Sequence, residues 1–187
     1  LPDMIKGFDG LVAGTEQISG ADMDAAGNLK TIVRVGIGLD SVDLLAARQR
    51  DIALAYTPDA PSAAVGELAI GLMIDLLRGT VASDRSLRRG EWYRIMGKRI
   101  SEITIGIIGV GRIGHLLIGH LAGGFPGVRI LANDLAPDMD FGARHGVTWV
   151  DKETIYKESD ITTLHVPLTA HTRGLIGKDE LSQMKPS

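Results

Sequence analysis

Three glycines, Gly109, Gly111 and Gly114, close the apolar run T-I-G-I-I-G-V-G-R-I-G over residues 104–114, with the spacing of a turn that receives a dinucleotide. Residues 103–108 are nearly all β-branched and apolar, as suits a parallel strand covered on both faces. Gly109 is expected to supply the tight turn after that strand, Gly111 to let the backbone approach a pyrophosphate, and Gly114 to let the next helix pack closely. A helix predicted from Arg112 to about Leu121 would then aim N-terminal N–H groups and the positive end of its dipole at the phosphates. A second strand, residues 128–133, ends at Asp134, twenty positions past Gly114. A carboxylate there accepts hydrogen bonds from the adenosine ribose hydroxyls and repels a 2′-phosphate, and the following Leu135 and Ala136 offer no cation. The cofactor this favours is NAD over NADP. The competing reading is a purely structural strand–turn–helix with a solvated aspartate, because glycine-rich turns also occur for conformational reasons alone.

The elements that would position this turn alternate between strand and helix. Strand-like runs occur at residues 10–13, 31–35 and 52–56, with helical material between them, and K-T-I-V-R-V-G-I-G-L-D-S-V-D repeats the strand-to-glycine theme before a helix at residues 42–50. Pro58 and Pro61 mark a boundary. One long helix is expected from Ser62 or Ala63 to about Leu87, apolar almost all round in its first half, so it should be buried on more than one side: between two lobes, in a subunit interface, or as a core helix. Beyond Asp134 a short helix, a strand at 147–150, a helix at 151–158, a strand at 161–166 and a helix at 178–184 follow. Pro167 forbids further ladder pairing after L-H-V and turns the loop outward at the carboxyl end of the sheet, the edge where ligands bind in open α/β sheets.

At 187 residues with a net charge of -3, the chain can bury a sizeable core and carries no electrostatic footprint for nucleic acid or an acidic membrane surface. Its longest apolar stretch, residues 68–77, contains Asp75 and is too short to span a bilayer. The absence of cysteine removes disulfides, thiolate nucleophiles and zinc knuckles from consideration. No metal site is expected. H-E-x-x-H, G-x-S-x-G and Walker-type motifs are missing, which leaves metal hydrolysis, serine hydrolysis and P-loop chemistry without support. His165 and His171 sit near the expected cofactor edge and titrate in a useful range, but a backbone-bonded strand-end residue and a solvated loop residue explain them as well. His115, His120 and His145 read as helix-surface residues, and the Asp40/Asp43 pair of G-L-D-S-V-D reads as capping the following helix in preference to forming a carboxylate site.

Four segments in order, L-K-T-I-V-R-V-G-I-G-L-D-S-V-D-L, Y-T-P-D-A-P-S-A-A-V-G-E-L-A, G-I-I-G-V-G-R-I-G and L-H-V-P-L-T-A-H-T-R-G-L-I, resemble the D-isomer-specific 2-hydroxyacid dehydrogenases, the group of phosphoglycerate, glycerate, D-lactate and formate dehydrogenases. The resemblance implies an α/β fold: a Rossmann-type doubly wound parallel sheet, incomplete, plus part of a flavodoxin-like substrate lobe. Residues 1–57 would belong to the substrate lobe and 58–187 to the NAD-binding domain. It also implies that the Ile37 and Gly38 backbone holds a substrate carboxylate, that Gly109, Gly111, Arg112, Ile113 and Gly114 cradle the pyrophosphate, and that Asp134 binds the ribose. Val166, Pro167 and Thr172 would lie along the cofactor. Tyr56 and Asp59 depart from the family's usual Asn and Gly.

The implied activity is NAD-dependent hydride transfer between a D-2-hydroxy acid and a 2-keto acid in a cytoplasmic homodimer without nucleic-acid or membrane partners. The alternative is an NAD(H)-sensing interaction protein of the corepressor type. Family members begin before the position of Leu1 and continue past M-K-P-S into segments carrying an arginine, a glutamate and a histidine, so the chain reads as truncated at both ends. No catalytic residue is placed within it, and it is expected to be inactive alone.

Overall fold

The computed structural model describes residues 1–186. Its strands form two parallel sheets, and the chain divides into two compact units, Leu1–Pro61 with Pro167–Arg173, and Ser62–Val166 with the segment from Gly174 onward. The sequence places a division between residues 57 and 58; the compact units separate four residues later, and the Pro167–Arg173 loop groups with the first.

In the first unit β1 (Gly10–Ala13), β2 (Thr31–Arg34) and β3 (Ala53–Tyr56) pair in that order. Three helices accompany them: α1 (Pro2–Ile5), α2 (Gly20–Ala26) and α3 (Leu44–Gln49). Their apolar sides meet the sheet in a core of Ile5, Ile18, Met23, Leu29, Ile32, Val42 and Ile52. Of these, α2 and α3 start where short polar side chains satisfy their first N–H groups. The Ser19 hydroxyl accepts from Asp22 N, and the Asp43 carboxylate accepts from Ala46 N at 2.9 Å, so of the Asp40/Asp43 pair expected to cap this helix it is Asp43 that does so, at a helix start two residues later than expected.

The second unit opens with a correction. The single helix expected over residues 62–87 is two helices, α4 (Ser62–Arg78) and α5 (Thr80–Arg88), broken at Gly79. Gly79 sits in the left-handed region at φ 58°, which favours glycine, and a Cβ on it would fall 2.1 Å from Ile95 Cδ1, so any other residue would also have to displace the end of the Ile95 side chain. The Asp75 carboxylate caps the new helix, accepting from the Thr80 hydroxyl and from Val81 N. Within the single chain α4 is buried along one side. Met73 is buried, but Leu68, Leu72 and Leu76, at i, i+4 and i+8 on one face, are 62%, 56% and 74% exposed.

The parallel sheet that follows has the order β6-β5-β4-β7, formed by β4 (Thr104–Ile108), β5 (Arg129–Asn133), β6 (Val147–Trp149) and β7 (Ile161–Leu164). The connecting helices are α6 (Arg112–Gly124), α7 (Met139–His145) and α8 (Lys152–Glu158), and α9 (Lys178–Gln183) ends the described chain. The chain runs outward from β4 to β6 and returns to pair β7 on the other side of β4. That reversal is the doubly wound topology, and its switch point lies beyond the carboxyl ends of β4 and β7. Period-two alternation divides β4 between two cores. Ile105 and Ile107 pack with Leu117, Ile118 and Leu121 of α6, while Ile108 packs with Ile155 and Tyr156 of α8. Gly106 lets α8 come close, since a Cβ there would lie 2.2 Å from Ser159 Oγ and 2.4 Å from Ile155 Cγ2.

Candidate functional site

The three glycines of the turn differ in what forces them. Gly109 has φ +92°, and a Cβ on it would lie 2.8 Å from the His165 carbonyl oxygen and 2.7 Å from Val166 Cγ1, so it lets β4 turn beside the end of β7. Gly114 sits against Gly109 itself. A Cβ at Gly114 would approach the Gly109 carbonyl oxygen to 2.5 Å, which fixes how closely α6 starts over the turn. Gly111, the N-cap of α6, has an ordinary φ of −82°, and a Cβ on it would meet nothing within 4 Å. Two glycines are therefore demanded by the fold and the third faces open space. Arg112 and Ile113 follow as the first residues of α6.

Asp134 stands at the end of β5, adjoining the turn. Its Oδ2 accepts from Val110 N at 2.6 Å and its Oδ1 from Ala136 N at 2.9 Å. The spacing argument assigned this carboxylate to a ribose and missed its hold on the turn; a carboxylate oxygen accepts more than one hydrogen bond, so the two roles are compatible. The side chain of the next residue, Leu135, is fully exposed. Asn133 fastens the same strand end by donating from Nδ2 to Val150 O at 2.7 Å.

At the end of β7, His165 N donates to Ile108 O at 2.8 Å, holding the strand ends together where Val166 meets Gly109. The His165 ring is half-buried, with Nε2 3.0 Å from Thr163 Oγ1, and burial holds its pKa below the usual histidine value. That environment favours a neutral, hydrogen-bonded ring. His171 is exposed. Unit two thus brings together Gly109, Gly111, Arg112, Ile113, Gly114, Asp134 and Val166 of the sequence-derived set.

Pro167, Thr172, Ile37 and Gly38 belong to the first unit. Thr172 closes its loop by donating from Oγ1 to Pro167 O at 2.5 Å, and its Oγ1 accepts from Thr169 N at 2.8 Å. The Ile37–Gly38 turn follows Gly36, whose N–H donates to Thr57 Oγ1 at 2.8 Å. Over this turn folds Arg34, which the sequence reading passed by. Its Nη1 donates to Val35 O, and its guanidinium occupies the space where a Gly36 Cβ would stand, while Nε is buried. The signal for it was a cation two residues before the glycine.

A cavity of about 330 Å³ lies at the opposite end of α6, lined by Leu77, Arg78, Lys98, Ile100 and Phe125 among others, and has no part in the turn. Among the described residues no cluster of histidine, cysteine and carboxylate side chains is placed to hold a metal, and no helix is long and apolar enough to cross a membrane.

Residues 70–187 match the model of the family described as D-isomer specific 2-hydroxyacid dehydrogenase, NAD binding domain. Over 189 residues the chain is 39% identical to hydroxypyruvate reductase of Thermotoga maritima, spanning 99% of this chain and 60% of that protein. It is 37% identical to D-3-phosphoglycerate dehydrogenase of Methanocaldococcus jannaschii, over 99% of this chain and 36% of that one. The apo-structure of D-lactate dehydrogenase from Escherichia coli superposes with a TM-score of 0.83 at 29% identity, over 98% of this chain and 59% of that chain. The chain therefore spans 60% or less of the length of these relatives. With its glycine turn, doubly wound sheet and matched segment in agreement, the chain belongs to the D-isomer specific 2-hydroxyacid dehydrogenase family, residues 70–187 matching its NAD-binding domain.

Proposed function

We propose that this chain binds NAD at the Gly109–Gly114 turn and serves a dehydrogenase that interconverts a D-2-hydroxy acid and a 2-keto acid. The observation that carries the reading is Gly111: the one glycine of the turn that packing does not require faces open space at the N-terminus of α6. A pyrophosphate fits there, because any side chain would occupy its approach and the first N–H groups of α6 favour an anion. When bound, NAD supplies the hydride acceptor or donor. The chain's own residues bind and orient it. Gly109, Arg112, Ile113 and Gly114 shape the phosphate cradle, Asp134 selects the unphosphorylated ribose, and Val166, Pro167 and Thr172 line the remainder. The Ile37 and Gly38 backbone takes the substrate carboxylate. Residues 1–57 serve as substrate lobe and 58–187 as cofactor domain in this reading.

We further place the protein in the cytoplasm as a homodimer. Support for the dimer comes from the Leu68, Leu72 and Leu76 stripe together with Trp92 and Met96, which are 84% and 85% exposed; apolar surface of this kind marks an interface. Leu72→Arg should shift the mass measured by light scattering to that of one chain, and an unchanged mass would remove this face from the interface.

The test of the main reading is a fluorescence titration with NADH, followed by NADH absorbance in the presence of glyoxylate, hydroxypyruvate and pyruvate, where this chain alone is expected to show no turnover. Saturable NADH binding is expected. A folded chain that does not bind NADH would refute the assignment.

A further inference from the structure

His115 lies one turn into α6, on the side that meets α7. Its Nδ1 is 2.9 Å from Gly111 O, and because a carbonyl oxygen can only accept, Nδ1 carries the proton and donates. The same oxygen accepts from His115 N at 2.9 Å. The imidazole also packs on Phe141 of α7, with ring centroids 4.2 Å apart and planes 51° from each other. Phe141 is buried, its N–H is capped by Asp138 at 2.8 Å, and it packs in turn against the His145 ring at 4.2 Å. His145 repeats the pattern, its Nδ1 standing 3.0 Å from Phe141 O.

Peptide geometry makes the carbonyl bond consequential. The Gly111 carbonyl and the Arg112 N–H belong to one planar trans peptide and point in opposite directions. Holding Gly111 O from inside the first turn of α6 therefore fixes the direction of the Arg112 N–H, at the helix end assigned to the pyrophosphate. The ring contact does a second thing. It ties that end of α6 to α7, which begins five residues after Asp134, so His115 and the Asp134–Val110 bond are two separate links between the glycine turn and the ribose-side carboxylate.

We propose that His115 is a positioning residue for the adenosine diphosphate half of the cofactor: its imidazole donates to Gly111 O and so locks the Gly111–Arg112 peptide. This rests on the NAD reading above. The side chain does not touch the reacting atoms, so its effect is confined to the phosphate and adenosine portion of the ligand.

The experiment measures binding of NADH, ADP-ribose and nicotinamide mononucleotide to the intact chain and to His115→Ala, His115→Phe and His115→Gln, with melting temperatures recorded for each. His115→Phe keeps a ring against Phe141 and loses the carbonyl bond, whereas His115→Gln keeps an N–H donor that reaches Gly111 O. The expected loss for NADH and ADP-ribose is about five- to tenfold in the Ala and Phe variants, the scale of one hydrogen bond, with Gln restored to within about twofold of the parent. In the parent protein labelled with ¹⁵N-histidine, the His115 ring signals should move on adding ADP-ribose and stay in place on adding nicotinamide mononucleotide. Parent-like ADP-ribose affinity in a folded His115→Phe overturns the proposal, as does an equal loss for nicotinamide mononucleotide, or no rescue by Gln. A parent chain that fails to bind NADH overturns the NAD reading itself, an outcome visible before any variant is compared.

Discussion

Gly111→Val puts two methyl groups at a position where a Cβ meets nothing within 4 Å and where φ is −82°, open to every residue. Its cost to the fold is the exchange of a tolerated N-cap residue for a poor one, about 1 kcal/mol or less, because no contact is strained. For a chain of this size that is a fall in melting temperature of at most about 4 °C. The cost to cofactor binding is of another order. If the pyrophosphate sits at this helix end, the branched side chain displaces it from two N–H donors; charge-assisted bonds of that kind contribute about 1.5–3 kcal/mol each, so affinity for NADH should fall by at least about 10²-fold. Gly114→Ala is the reverse case. Its single methyl would stand 2.5 Å from the Gly109 carbonyl oxygen, so it should lower the melting temperature clearly before its effect on binding can be read. Calorimetric titration with NADH beside thermal melts of both variants gives the comparison. A folded Gly111→Val with parental affinity would show that the pyrophosphate does not approach this glycine. A large loss of stability in the same variant would show that the space in front of it is filled.

The parent chain should bind NADH more tightly than NADPH, and Asp134→Ala should weaken NADH binding, since the ribose contact and the acceptor for Val110 N are both lost, while narrowing the preference because the repulsion of a 2′-phosphate goes with them; an unchanged NADH-to-NADPH affinity ratio would contradict the ribose assignment. Gly106→Ala forces a methyl against Ser159 and Ile155 and should destabilise the second unit by about 1–3 kcal/mol in a denaturant titration, with an unchanged midpoint counting against the close β4–α8 packing. Burial lowers the His165 pKa, so the unfolded chain binds the proton more readily than the folded one. The stability this ring contributes is complete above the ordinary histidine value of 6.5 and is lost as the pH falls through the folded value. Parent and His165→Gln should therefore differ less in stability at acid pH than at pH above 6.5, and a difference that grows on acidification would reverse the sign of that assignment.

Local chemistry was enough to read the cofactor turn. An apolar β-branched run, glycines at positions 109, 111 and 114, and a carboxylate twenty residues on are consequences of strand, turn and helix geometry within one stretch of chain, and the observed β4, α6 and β5 follow that reading to within a few residues at each end. A cap within G-L-D-S-V-D was legible for the same reason, because a cap acts over three residues, though which of Asp40 and Asp43 supplies it was not.

What the sequence left open depends on residues far apart in the chain. The expected 62–87 helix contained a glycine that reads as a tolerable helix residue; only the Ile95 side chain, returning from the following segment, and the Asp75 cap make Gly79 a break. Apolar residues all round α4 suggested burial on several sides, yet which of them face outward is decided by where α6 packs, and that leaves the Leu68, Leu72 and Leu76 stripe uncovered. Asp134 was assigned one partner because spacing carries no information about the Val110 amide it also holds. The surface reading of His115 and His145 could not foresee the Phe141 ring that contacts them both, since it is brought there by the packing of α7 beside α6. Periodicity and motif spacing determine which elements form and which turn meets a phosphate; side-chain direction across elements is set by the packing of surfaces, and only the tertiary structure decides it.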